Sequence, residues 1–418
     1  MDTPIVDLVV QNAAQLLTCS DPSISSIGLI SDGWVAVADG RILSVGSEET
    51  VRREVNLGSA RLIDASGKVV LPGFIDCHTH VVFGGSRVDE YAARLVTSDP
   101  AELDRRGIKT GIMATVDNTR GKTVEELLAQ ALPRVRNMVL AGTTTVESKS
   151  GYGLSTQAEI QQLRTNKELE NHLPITVVST FLGAHGWPAD IPKGDYVRIL
   201  KEEMIPAVAA EGLATFCDVW CDEGHYTAEE SRDILICGLK YGLAPKIHTG
   251  AYSYVGGADV AAEMGMKSAD HLNYTPRSAL KKLADADVAA VLLPGIDFAV
   301  RHPRPFDPQP MIDEGLILAL ATNCCPGCWC ESMQFIMTLA CRQHGLSPEQ
   351  AIKAATAGSA KALGIETTVG SLTPGKAADI QIWNVPRYED VVYRLGGNVV
   401  HSVIKDGRLV VDNGRIVS

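Results

Sequence analysis

The sequence predicts a (β/α)8 barrel, a TIM-like α/β fold, carrying a small composite β-sandwich domain built from both chain termini. Three observations lead there. Short apolar runs alternate with amphipathic segments through the middle of the chain, hairpin signals cluster at both ends, and several apolar runs finish in histidine. Strand ends are where a barrel opens its mouth, so polar residues there face a common site. With 418 residues, the chain exceeds one ordinary domain and suits a barrel of roughly 250 to 300 residues plus a smaller module.

The ends read as β structure. Trp34-Val35-Ala36-Val37-Ala38 and Arg41-Ile42-Leu43-Ser44-Val45 flank Asp39-Gly40, two residues that tolerate a left-handed turn. Val403-Ile404-Lys405 and Arg408-Leu409-Val410-Val411 flank Asp406-Gly407 in the same way, Asn413-Gly414 follows, and 378–383 alternates like a further strand. The expected division is a composite β-domain from 1–68 and 367–418 and a barrel over 69–366.

Eight barrel strands are expected at 74–80, 143–147, 175–185, 215–221, 245–249, 268–272, 289–293 and 316–323. Helices between them announce themselves by capping boxes, in which a hydroxyl and a carboxylate or amide each satisfy a free backbone donor. Thr123 with Glu126, Thr227 with Glu230 and Ser347 with Gln350 fit, the last with Pro348 at the first helical position. No Gly-x-Gly-x-x-Gly follows a strand, which disfavours a dinucleotide fold.

Charge and cysteine usage narrow the function. The formal net charge is −12 and no basic block occurs, so nucleic acid is excluded as a partner, because phosphate binding needs clustered Lys and Arg. No apolar run reaches the roughly 18 residues of a membrane span, and no charged stretch with an apolar core opens the chain. The ten cysteines are scattered apart from the group at 324–330. A cytoplasmic protein with reduced thiols is the expectation.

The first barrel strand ends Asp76-Cys77-His78-Thr79-His80. Strand alternation puts His78 and His80 on one side, where two imidazoles can share a cation. His185, His248 and His271 end the third, fifth and sixth strands, and Asn323 ends the eighth. A single buried histidine is ordinary, but histidines from four strands delivered to one end point to a metal. Neutral imidazoles suit zinc or iron, and an open coordination position would hold water with its pKa lowered toward about 7.

The segment Leu71-Pro72-Gly73-Phe74-Ile75-Asp76-Cys77-His78-Thr79-His80 resembles the first-strand signature of the amidohydrolase superfamily. Val82-Phe83-Gly84-Gly85-Ser86-Arg87, Lys149-Ser150-Gly151-Tyr152-Gly153-Leu154, Ser179-Thr180-Phe181-Leu182-Gly183-Ala184-His185, Ser268-Ala269-Asp270-His271-Leu272 and Val291-Leu292-Leu293-Pro294-Gly295 resemble the imidazolonepropionase family within it. The closing Gly370-Ser371-Leu372-x-x-Gly375-Lys376-Ala377-Ala378-Asp379 is common across the superfamily. That resemblance implies metal-dependent opening of 4-imidazolone-5-propanoate to N-formimino-L-glutamate, a step of histidine degradation. It implies one divalent cation on His78, His80, His248 and the residue at 323. Arg87 would pair with the substrate carboxylate, Tyr152 and His185 would contact substrate, and Gly327 would offer its backbone. His271 would help polarise the ring carbonyl. A homodimer is implied as well.

Three positions depart from the family. The metal-binding and proton-accepting Asp at 323 is Asn, an acidic residue expected at 251 is Ala, and a substrate-contacting Asn at 325 is Cys. An amide oxygen can bind a cation weakly but takes no proton near neutral pH. An Asn introduced to disable the enzyme, a shifted substrate ring with His271 as base, and a binding protein without catalysis are the three readings this leaves open. Asp270 and Glu147 are strand-end acids expected to orient histidines or satisfy backbone donors rather than act as base. Cys324, Cys325, Cys328 and Cys330 have C-x-x-C spacing but lack a second ligand set, and read as small apolar groups of the pocket.

Overall fold

The computed structural model describes residues 3–97 and 99–417. Eight parallel strand positions form the barrel: β1 (Phe74–Asp76), β2 (Thr143–Lys149), β3 (Thr176–Ala184), β4 (Phe216–Cys221), β5 (His248–Thr249), β6 (Ser268–His271), β7 (Ala289–Leu292) and β8 (Leu318–Leu320). Each pairs with the next in chain order. The seam between β8 and β1 is closed by single bonds: Asn323 N–H donates to the His78 carbonyl at 3.1 Å, and His80 N–H to that of Cys324 at 2.9 Å. Asp76 adds a side-chain latch, accepting from Thr322 N–H at 3.0 Å and its hydroxyl. All eight expected strands are present, most of them shorter than the apolar runs. The expected 245–249 strand is split into Ala244–Pro245 and β5, but Lys246 N–H still donates to the Cys217 carbonyl and Asp270 N–H to that of Ile247.

β2 is buried at every residue, as a parallel strand covered on both faces must be. Helices cover the outside. Val124–Leu140, Ala228–Lys240 and Pro348–Lys353 all begin with the capping boxes read from sequence.

The second sheet is assembled from both ends. Its order is Arg415–Ile416, Arg408–Asp412, Val400–Lys405, Ile380–Trp383, Val69–Pro72, Leu8–Leu17, Leu29–Ala38 and Arg41–Gly46, with Arg61–Asp64 also beside Leu8–Leu17. The hairpin residues Asp39, Gly40, Asp406, Gly407, Asn413 and Gly414 all have positive φ, which lets two-residue turns follow the strand twist. Leu8, Val10, Leu16, Val37, Val70, Ile380 and Ile404 share the enclosed core of this unit.

Val69–Pro72, expected within the barrel segment, pairs in this sheet with Leu8–Leu17 and Ile380–Trp383. Only Gly73 separates it from β1. A Cβ at Gly73 would lie 2.3 Å from the Thr144 hydroxyl, so only glycine lets the strand pass here. Gly73 N–H donates to the Asp379 carbonyl at 2.9 Å and Gln381 Nε2 to that of Pro72 at 2.9 Å. The strand carrying the H-x-H pair is thereby tied to the closing motif.

Candidate metal centre and active site

The histidine rings meet at the C-terminal ends of the strands. The nitrogen atoms of His78, His248 and His271 come within 4.8 Å of one another, and so do those of His80, His185 and His248. His248 belongs to both groups and stands at their centre. Asn323 follows β8 and is joined to His78 by its backbone bond across the seam. His271 and Asn323 have φ of 83° and 49°. Left-handed backbone at non-glycine residues is uncommon and clusters at functional sites, where surrounding packing holds it.

What sits under the rings explains how they are aimed. His78 Nδ1 donates to Asp270 Oδ2 at 2.6 Å, which leaves Nε2 toward the mouth. His248 Nδ1 lies 3.0 Å from Asp218 Oδ2, off the line of a good hydrogen bond. His185 Nδ1 donates to the Gly151 carbonyl at 3.2 Å. Glu147 accepts from Thr79 N–H at 3.2 Å and from Lys149 at 2.7 Å, and takes the Thr180 hydroxyl. Asp270 therefore orients His78, and Glu147 satisfies the Thr79 backbone donor and the Lys149 ammonium.

Burial is complete enough to set protonation. Loss of water, then neighbouring charge, holds His78, His80 and His248 well below the usual imidazole range. Burial takes His185 down to about 3 and lowers His271 as well. The rings are neutral near pH 7, the state in which imidazole binds a metal. Burial pushes Asp76 up to about 7. It works to raise Asp270 too, but Lys246 and Lys149 more than offset it and hold that carboxylate down.

The donor set fits a cation. His78 Nε2, His80 Nδ1, both nitrogens of His248 and Asn323 Oδ1 are buried without a hydrogen-bond partner. Buried polar groups are almost always paired, and several orphaned lone pairs in one place call for an ion. Imidazole nitrogens with one amide oxygen suit a divalent transition metal.

Of the remaining expected residues, Tyr152 lies beside this cluster. The Tyr152 ring is 5.5 Å from His80 and 5.2 Å from His185, centroid to centroid. Its loop is fixed by Glu159, which accepts from Gly151, Gly153 and Leu154 N–H at 2.7 to 2.8 Å. Arg87 and Gly327 line one cavity of about 290 Å³ with Glu90, Tyr91 and Arg301. The Arg87 fork is held by Glu90. The larger cleft of about 1370 Å³ lies against the terminal sheet, lined by Arg41, Glu170 and Lys405, and contains none of these residues.

Ala251 is buried, and its N–H donates to Asp222 Oδ2 at 2.9 Å. Asp222 also accepts from Tyr252 N–H and from the N–H and hydroxyl of Ser253, so it fixes the loop after β5. Cys324, Cys325 and Cys328 are buried, all ten cysteines are free, and among the described residues no cysteine joins a metal-capable group. Sequence reasoning missed Asp218, Asp222 and Lys246, and treated Lys149 only as part of a motif. For the two acids, the alternation of Phe216, Asp218 and Trp220 along β4, continued by Asp222 just after it, was the available signal.

A parallel barrel whose strand ends converge unpaired imidazole nitrogens defines a metal-dependent hydrolase of the amidohydrolase class. The Amidohydrolase family matches residues 61–179 and again 260–410. An imidazolonepropionase of Symbiobacterium thermophilum is 43% identical over 98% of this chain and 99% of its own length. That of Geobacillus kaustophilus is 42% identical over the same shares. The chain belongs to the imidazolonepropionase family. Among solved structures, a zinc-bound adenosine deaminase from Xanthomonas campestris has a TM-score of 0.73 at 17% identity, covering 99% of this chain and 95% of that one. The atrazine chlorohydrolase TrzN of Arthrobacter aurescens TC1, complexed with zinc, has a TM-score of 0.66 at 18% identity, covering 98% and 96%. These two likenesses concern the fold. Among the described residues no helix is long and apolar enough to cross a membrane.

Proposed function

We propose that the chain hydrolyses the ring amide C–N bond of 4-imidazolone-5-propanoate to give N-formimino-L-glutamate, using zinc or iron held by His78, His80, His248 and Asn323. The observation that carries this is the set of orphaned donor atoms on these four buried side chains, in a chain of this family. When bound, the cation supplies Lewis acidity that polarises the ring carbonyl and eases deprotonation of water.

The chain's own residues do the rest. Arg87 anchors the carboxylate tail, with Gly327 beside it. Tyr152 and His185 wall the ring against the metal side. His271, neutral and 5.3 Å from His248 by ring centroids, stands where it can donate to the carbonyl oxygen and receive a water proton. Water oxygen bonds to the carbonyl carbon, the C–N bond breaks, and the proton passes to the departing nitrogen. Asn323 cannot take that proton, so His271 is the base in this chain.

A second reading, hydrolysis or deamination of a different small nitrogen ring, is favoured by Ala251 and Cys325, which take a carboxylate and an amide out of the pocket. We further propose a cytoplasmic homodimer. Ten free thiols support the compartment, and the exposed apolar side chains Tyr91, Leu95 and Phe298, which line one cavity, support a covering copy. Of the two units, we place the first junction after Val69–Pro72 rather than at 68, because that strand pairs in the terminal sheet.

The deciding experiment is the ring-opening rate on 4-imidazolone-5-propanoate for this chain and for Asn323→Asp, both zinc-loaded. Activity in either form supports the substrate. If both are inert with metal bound, the substrate is a different ring.

A further inference from the structure

The barrel floor holds charges that the reaction does not use. Lys149 and Lys246 are wholly buried, with Asp76, Glu147, Asp218 and Asp270 around them. Lys149 Nζ lies 2.7 Å from Glu147 Oε1, 2.7 Å from Asp218 Oδ2 and 3.6 Å from Asp270 Oδ2. Asp218 Oδ2 and Asp270 Oδ2 are the same oxygens that face His248 Nδ1 and His78 Nδ1. One ammonium thus stands behind two of the rings proposed above to bind metal.

We propose that Lys149 is a positioning residue for the metal centre: it fixes Asp218 and Asp270 together, so that His248 and His78 turn Nδ1 to the floor and Nε2 to the cation.

Three features carry this. Asp218, His248 and Asp270 place donor atoms within 4.8 Å of one another, a grouping that could itself hold a metal. The Lys149 ammonium lies against both of its carboxylates, so a fixed organic cation already serves that position. Second, a bare carboxylate pair so close would repel, and each would be free to turn from its ring; an ammonium between them removes both tendencies. Third, carboxylates outnumber ammoniums on the floor, an anionic excess that favours a divalent cation above it. Lys246 is less suited to the role. It lies 3.8 Å from Asp270, donates to the Cys77 carbonyl at 3.3 Å, and forms no ion pair with Asp218.

This inference rests on the ligand set proposed above, and the test separates the two. The full chain is stripped of metal, and its Zn²⁺ dissociation constant is measured by chelator competition. His248→Ala is expected to lose Zn²⁺ binding; if it keeps the wild-type constant, the ligand set is wrong and the inference falls with it. With that loss established, Lys149→Met is expected to weaken Zn²⁺ by about 10- to 100-fold, the usual effect of removing a group behind a ligating histidine. It should also shift the visible absorption of the Co²⁺-loaded protein. Lys405→Met breaks a buried ion pair with Asp379 in the terminal sheet, 3.1 Å long, and is expected to change neither readout. A Zn²⁺ constant within about twofold of wild type in Lys149→Met, or an equal loss in Lys405→Met, overturns the proposal. Should Lys149→Met not fold, Lys149→Met/Asp218→Asn/Asp270→Asn removes the ammonium together with both carboxylates it is proposed to fix. Its Zn²⁺ affinity is expected to match that of Asp218→Asn/Asp270→Asn with Lys149 intact; a further loss of about tenfold overturns the role assigned to Lys149.

Discussion

Glu90 grips Arg87 at two points, Oε2 accepting from Nε at 2.7 Å and Oε1 from Nη2 at 2.9 Å. The remaining nitrogen, Nη1, is the one beside Gly327, 3.6 Å from where a Cβ at that glycine would lie. Glu90 is itself saturated by Arg94 at 2.9 Å and by Gly111 N–H at 3.2 Å. The guanidinium is therefore pre-aimed, with one edge fixed and Nη1 left for a ligand carboxylate. Charged hydrogen bonds contribute about 1.5 to 3 kcal/mol. Arg87→Met is expected to raise KM for the carboxylate-bearing ring by about 10- to 100-fold, and to leave a ring amide without a carboxylate unchanged. Equal losses on both substrates would remove Arg87 from the binding role.

Asn323→Asp places a carboxylate, able to take a proton, just after β8 in the proposed ligand set. A positioned base contributes about 10² to 10⁴ in rate, and the expected gain in single-turnover ring opening lies in that range. A gain below about threefold would mean that His271 already performs the proton transfer without loss.

Cation removal should be visible in stability alone. A ligand that binds only the folded chain stabilises it by about 2.7 kcal/mol at a hundredfold excess over its Kd. Zinc added to the stripped protein is expected to raise Tm, and the rise should vanish in His248→Ala.

Arg134 is buried without a carboxylate partner among the described residues. Its Nη1 donates to the carbonyls of Val81 and Phe83 at 2.8 and 3.2 Å, and its guanidinium lies 3.6 Å from the Phe83 ring centroid and 4.7 Å from that of Trp329. Burial lowers its pKa to about 10. It clamps the backbone just beyond His80, so Arg134→Met is expected to cost about 2 kcal/mol or more, from two released carbonyls and the lost ring contacts. Urea unfolding of the metal-free protein measures it.

His344 stacks on Phe306, ring centroids 3.8 Å apart, and donates from Nδ1 to the Phe306 carbonyl at 3.0 Å. Partial burial lowers its pKa below 6.5. The unfolded chain then takes a proton first as pH falls, so the group's contribution is intact above about pH 6.5 and is lost on acidification below it. The folded protein should lose less stability between pH 8 and 5.5 as His344→Gln, whose amide can keep the bond to Phe306. An equal loss in both proteins would show that the ring does not report the change.

The strand ends were legible because alternation and chain order alone put His78, His80, His185, His248 and His271 at one rim. The capping boxes were legible because both partners lie within four residues. Arg87's partner Glu90 is one turn away on the next helix and could have been read, but the fork's free edge depends on Gly327, 240 positions on in the chain. Lys149 was opaque for a physical reason. A lysine in a strand ordinarily reads as an exposed edge residue, and its burial depends on acids from β2, β4 and β6 meeting in space. The pairing of Val69–Pro72 with the terminal sheet was not legible, because a buried parallel strand and a buried strand of a sandwich are both continuous apolar runs.

The bond from Gln381 to Pro72 spans 309 residues. During synthesis, the segment bearing His78 and His80 leaves the ribosome long before Ile380–Trp383 exists to pair with Val69–Pro72. Its apolar edge must wait through the making of the whole barrel, a long interval of exposure for an unpaired strand. The last tenth of the polypeptide therefore acts as a checkpoint on assembly: a nascent or truncated chain that ends before 380 leaves the strand of His78 and His80 without its anchor.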